Sequence, residues 1–159
     1  MHESPAHVSS ILHHRLLRST WLPRPVDEVF DFFSDARNLE RITPPELRFH
    51  IVSTLPMEMH AGTNIEYRLV LFGFRFRWLT EITDWDPPLR FVDRQLSGPY
   101  RHWLHAHRFT AERQGTRMVD RVDYVLPLGH LGLLARPLVA RELRRIFDYR
   151  ESSIQRILG

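Results

Sequence analysis

Residues 91–126 alternate between the two faces of an extended chain through three long runs in succession, and this alternation constrains the fold more than any other feature. In residues 100–109, YRHWLHAHRF, a period of two places Arg101, Trp103, His105, His107 and Phe109 on one face and His102, Leu104, Ala106 and Arg108 on the other. The run after the turn at Gln114-Gly115 repeats the arrangement, with Met118, Asp120, Val122, Tyr124 and Leu126 together and Val119, Arg121, Asp123 and Val125 opposed. Phe91, Asp93 and Gln95 align likewise on the run that ends at Ser97-Gly98-Pro99. Three antiparallel strands paired in this order bring five polar groups, Asp93, Gln95, His105, His107 and Asp120, onto one aromatic face, with Arg101 near its rim. Polar groups on such a face are suited to line a pocket.

The rest of the chain supplies what covers that face. An opening strand is expected over 11–22, closed by Pro23. A helix starts at Pro25-Val26-Asp27-Glu28, where proline and two acids suit a first turn, and a second short helix over 36–42 stops at Pro44-Pro45. Strands are expected at 47–55, 62–72, 74–85, 90–97, 100–112 and 116–127, separated by glycine and proline. Residues 131–158 form a long amphipathic helix: Val139, Leu143, Ile146, Phe147, Ile154 and Ile157 make one stripe, and Arg141, Arg144, Arg145 and Glu151 lie opposite. Pro137 either starts that helix or kinks it. These elements predict an α+β architecture in which a curved antiparallel sheet of about seven strands wraps the C-terminal helix, with two short helices after the first strand.

At 159 residues and 43% hydrophobic, residues 11–159 suffice for a single domain with a sizeable core; residues 1–10 are polar and expected to fray. No apolar run is long enough to span a membrane, and the start, MHESPAHVSS, lacks the apolar segment of a secretory signal, so a cytoplasmic location is expected. There is no cysteine, hence no disulfide or thiolate chemistry. All 22 basic residues are arginine, which excludes a Schiff-base lysine and a phosphate-loop lysine. The arginines are spread along the chain with no clustered basic stripe, so no nucleic-acid partner is expected despite the net charge of +3. Nothing calls for a cofactor, and the oligomeric state is not legible.

The order of blocks VDEVFDFFSDARNLERITPP, DRQLSGPYRHWLHAHRF, GTRMVDRVDYVLPLG and ELRRIFDYR resembles the START/polyketide-cyclase superfamily, also called SRPBCC, over about residues 11–158. The resemblance implies a helix-grip fold with a ligand cavity. It implies carriers of lipids or quinones, polyketide cyclases and hydrolase-like enzymes as functional classes, without choosing among them.

Candidate wall residues for such a cavity are Tyr67, Leu69, Phe74, Phe76, Trp78, Phe91, Trp103 and Tyr124 from the sheet and Leu143 and Phe147 from the helix, with Gln95, His105 and His107 as polar contacts. Ordinary core packing explains any one of these rings equally well. Arg68, Arg75 and Arg77 fall on the outer face. His105 and His107 with Asp93 or Asp120 match the ligand types of a zinc site, but the spacing is weak, and a satisfied histidine–carboxylate network is the simpler reading; no metal is expected. The same four residues are the candidates for acid–base chemistry on a carbonyl compound. Three functions follow: binding of a small hydrophobic ligand such as a lipid, quinone or polyketide-like ring; a cyclase, dehydratase or hydrolase using His/Asp chemistry; or an interaction module docking through Arg141, Arg144, Arg145 and Arg150.

Overall fold

The computed structural model describes residues 10–159, so the expected fraying of residues 1–10 falls almost wholly outside the described residues. Strand β1 (His13–Leu22) leads into helix α1 (Val26–Ser34) and the short α2 (Asn38–Arg41). Strands β2 (His50–Ile51), β3 (Asn64–Leu71), β4 (Phe74–Asp86), β5 (Arg90–Ser97), β6 (His102–Glu112) and β7 (Gly115–Val125) follow, and helix α3 (Arg136–Leu158) ends the chain. The sheet order is β1-β7-β6-β5-β4-β3-β2 and every pair is antiparallel. The two short helices thus carry the chain from one edge of the sheet to the other, from which it meanders back to β1. This is the antiparallel sheet wrapped on a C-terminal helix expected from the order of elements, and the helix-grip fold that the family resemblance implies.

Its curvature has local causes. The β4–β5 pairing shifts register between Leu79 and Thr80 and again between Ile82 and Asp84, irregularities of the kind that bend a strand around a core. The packed face divides into two regions. At one end, Phe109, Met118, Ile82 and Phe91 pack against Phe30 and Phe33 of α1, with the Phe109 ring 5.4 Å from Phe30 and 5.6 Å from Phe33. Toward the other end, Leu69, Trp78, Trp103 and Val122 face Val139, Leu143 and Phe147 of α3.

Beyond shifts of about two residues at strand ends, four differences from expectation stand out. The strand expected at 47–55 is only two residues long: Leu47 ends a 3-10 turn at Pro45–Leu47, and Arg48 takes a left-handed backbone. The helix expected from 131 begins at Arg136, with Pro137 in its first turn where a missing N–H costs nothing, and Gly129–Ala135 is a 3-10 helix. The second helix is a single turn. The β6–β7 turn is centred on Arg113 and Gln114, both at positive φ, while Gly115 opens β7. A Cβ at Gly115 would collide with the Leu22 carbonyl oxygen and the Trp21 ring, so close approach to β1 demands that glycine.

Candidate functional site

Strand register assembles the polar cluster. Asp93 is paired opposite His105, and His107 opposite Asp120. The hydrogen bonds, however, run diagonally across the strands, at a reach that long side chains span on one sheet face. His105 Nε2 lies 2.8 Å from Asp120 Oδ1, and His107 Nε2 lies 2.9 Å from Asp93 Oδ2. His107 Nδ1 is also 2.9 Å from Asp120 Oδ1 but lacks the alignment of a hydrogen bond, so it acts there as a close charge. The two imidazoles tilt against each other at 3.8 Å, and Phe91 stacks on His107 at 4.0 Å.

Arg150 completes the cluster. Its guanidinium Nε is 4.0 Å from Asp120 Oδ2, and the side chain is 11% exposed, lodged near the rings of Phe33 and Phe147. The arginine expected among docking residues on the helix surface is therefore an interior group. Periodicity carries the signal, since residue 150 lies seven positions after Leu143 and three after Phe147, on the buried stripe. Its charge argues for the surface, and two carboxylates across the sheet outweigh that argument.

Burial and neighbours set the protonation of the cluster. Burial would raise the Asp120 carboxyl, but the Arg150 charge and the two histidines hold it well below the usual carboxylate value. Burial likewise opposes ionisation of Asp93, yet the hydrogen bond from His107, with His105 and Arg150 nearby, keeps its pKa low. The two histidines diverge. Burial and the neighbouring His107 push His105 down despite Asp120, whereas the contacts of His107 with Asp120 and Asp93 overcome burial and push it up. One neutral and one protonation-prone imidazole thus sit side by side between two ionised carboxylates. Asp93, His105 and His107 also present donor atoms within 4.8 Å of one another, a set able to hold a cation, but those atoms are engaged with one another or with Asp120.

The cluster forms one wall of a cavity of about 160 Å³ between sheet and α3. Of the expected wall residues, Tyr67, Leu69, Trp78, Phe91, Trp103, His105, His107, Leu143 and Phe147 line it, together with Asp93 and Arg150. Thr80, two residues after Trp78 on the same face of β4, joins them, as do Tyr100 and Phe33, which carry no signal in the alternation. Tyr100 lies in a loop whose alternation is broken, and Phe33 belongs to a helix whose pattern reads only as packing.

Four expected contacts lie elsewhere, and Asp120 stands behind the histidines rather than on the cavity lining. Phe76 walls a second, outer cavity of about 260 Å³. Gln95 grips the loop instead, donating from Nε2 to the Tyr100 carbonyl at 2.6 Å and accepting from the Tyr100 N–H at 3.1 Å. Tyr124 packs against His14 and Tyr100 behind the lining. Phe74 is 69% exposed: it begins β4 at a hairpin tip, beyond the part of the sheet that α3 covers. Alternation assigns a face but not how far along the strand that face is covered. Leu71 and Tyr100 line both cavities.

Residues 22–148 match the family model described as polyketide cyclase / dehydrase and lipid transport. No curated protein sequence matches the chain at a significant level. Among solved structures, the Zhui aromatase/cyclase from a Streptomyces species superposes with a TM-score of 0.72 at 18% identity, covering 90% of this chain and 92% of that one. A protein of Thermus thermophilus gives 0.68 at 23% identity, covering 90% and 95%. A ginseng major latex-like protein from Panax ginseng gives 0.64 at 12% identity, covering 92% and 98%. At these identities the likeness establishes the fold.

Proposed function

The chain belongs to the polyketide cyclase / dehydrase and lipid transport family, and on that premise we propose that it binds a small, largely hydrophobic molecule between the sheet and α3. The observation that carries this reading is an apolar-walled cavity with a buried polar cluster on one side. The inner cavity, at about 160 Å³, is ring-sized, and it shares Leu71 and Tyr100 with the lining of the outer cavity of about 260 Å³. A lipid, quinone or polyketide-like ring fits that description. Its apolar body lies against Trp78, Trp103 and Leu143, and its polar end meets His105, His107 and Arg150.

Apolar contact alone gives modest affinity. Burying about 300 Å² of ligand at about 25 cal/mol per Å² yields roughly 7 kcal/mol before the loss of ligand freedom, so tight binding depends on the polar end. Native mass spectrometry of protein taken directly from cells is expected to find a non-covalent hydrophobic ligand. Leu143→Phe, which adds bulk to the wall, is expected to lose it while keeping the far-ultraviolet circular dichroism of the fold. An empty native protein that also fails to bind apolar fluorescent probes would refute the reading.

A second reading, acid–base catalysis on a carbonyl-bearing ligand, is favoured by one observation: two adjacent imidazoles at the cavity wall are pushed in opposite directions. Divergent pairs of this kind can divide the roles of base and acid. Here His105 would take a proton and His107 would donate one. Turnover of an aromatic-precursor ketone or ester is then expected to fall about 10²-fold in His105→Ala and in His107→Ala. Equal rates in both variants and the parent would remove this role.

A further inference from the structure

Outside the binding site, the outer cavity opens on an unusually apolar surface. The 3-10 helix Gly129–Ala135 and its approach display Leu128, Leu131 and Leu134, which are 78%, 71% and 84% exposed. Leu138 of α3 and Phe72 and Phe74 of the β3–β4 hairpin are exposed as well. Leu128, Leu131, Leu138 and Phe72 rim the same outer cavity. Soluble surfaces tolerate scattered leucines, but a cluster drawn from three chain segments is a contact surface. Phe72 and Leu128 also take left-handed backbone, at φ 51 and 66, which bulky residues adopt at a cost.

The charge around this surface identifies its partner. The segments that build it, 67–80, 94–111 and 124–141, contain no aspartate or glutamate. They do contain Arg75, Arg101 and Arg136, all exposed and without an ion-pair partner among the described residues. By contrast, Arg145 on the outer side of α3 is tied to Glu142 and Glu46. Apolar side chains at loop tips beside unpaired cations, with Glu142, whose charge reaches Tyr100 of the outer cavity, tied to Arg145, match the two layers of an anionic bilayer surface: acyl chains for the leucines and phosphates for the arginines. We propose that this end of the molecule docks on the surface of an anionic lipid membrane, placing the outer cavity against the bilayer. Association is peripheral, as no described helix is long and apolar enough to cross a membrane. It depends on the surface residues alone and holds whatever the inner cavity binds.

Flotation with phosphatidylcholine vesicles, with and without phosphatidylglycerol, tests the proposal on the full chain. The parent protein is expected to float with the phosphatidylglycerol-containing vesicles and to be released by high salt. Leu131→Glu combined with Leu134→Glu is expected to weaken partition at least about tenfold, because two acyl contacts are replaced by charges facing an anionic surface. Arg75→Gln and Arg136→Gln should each weaken it about fivefold. Leu17→Glu, an exposed leucine in the middle of β1, should leave it unchanged. These sites are exposed, so circular dichroism should be that of the parent. No flotation with anionic vesicles, or flotation indifferent to the paired leucine variant, would overturn the proposal. So would a dimer that the leucine variant dissociates in the absence of vesicle binding, which would make this surface an interface between two copies.

Discussion

Asp120→Leu is expected to destabilise the protein by about 3–5 kcal/mol, whereas Asp123→Leu, three residues away, is expected to cost below about 1 kcal/mol. Both carboxylates take part in ion pairs, and burial separates them. Asp123 bonds Arg15 at 2.5 Å and Arg121 at 3.1 Å on the outer face, where those arginines remain 61% and 47% exposed and water screens the charge. Asp120 accepts from His105 and faces His107 and Arg150, all enclosed by the sheet and α3. Leucine there would leave a buried guanidinium and a proton-holding imidazole without their shared counter-charge. Urea unfolding of the two variants measures the difference, and a larger loss at Asp123 would mean that β7 presents its other face to the core.

The same cluster fixes how that difference depends on pH. A carboxyl held below its ordinary value, as Asp93 and Asp120 are, stabilises the fold above about pH 4 and loses its contribution as pH falls through the folded value. His107, held above its ordinary value, works the other way: its contribution is complete below about pH 6.5 and fades as pH rises through the folded value. The Asp120→Leu deficit should therefore be greatest between about pH 4 and 6.5. It should shrink on acidification, when the parent protein loses the carboxylate too. A deficit independent of pH would show that Asp120 contributes packing rather than charge.

How much of the fold and the site is legible in the sequence follows from what each pattern encodes. Period-two alternation over the 8-residue β5 and the 11-residue β6 and β7 fixes faces without ambiguity, which is why Asp93, His105, His107 and Asp120 group together on the sequence alone. It does not encode depth along the strand, so Phe74 groups with Phe76 and Trp78 although it lies exposed at the hairpin tip while the other two pack in the cluster that includes α3. Nor does it separate strands from irregular segments that also bury apolar residues. Leu47, Phe49, Ile51 and Leu55 read as one strand, yet only His50 and Ile51 join the sheet while the flanking residues pack from loops. Arg150 shows the converse: its helical period is readable and its charge points the other way.

Phe109→Ala is expected to cost about 3–5 kcal/mol, clearly more than Leu143→Ala at about 2 kcal/mol, although the two side chains are 1% and 4% exposed. Phe109 shares a strand face with Trp103, His105 and His107 but lies at its solid end, enclosed by Phe30, Phe33 and Phe91. Truncating it opens a new void among rings held by the sheet and α1, which can collapse only partly. Leu143 already borders the inner cavity, so one side of it has fewer contacts to lose. Truncation there enlarges a space that exists. Denaturant unfolding of the two variants reads the contrast directly, and an equal or larger loss at Leu143 would mean that α3 packs onto the sheet as tightly as α1 does, leaving the space beneath it unavailable to a ligand.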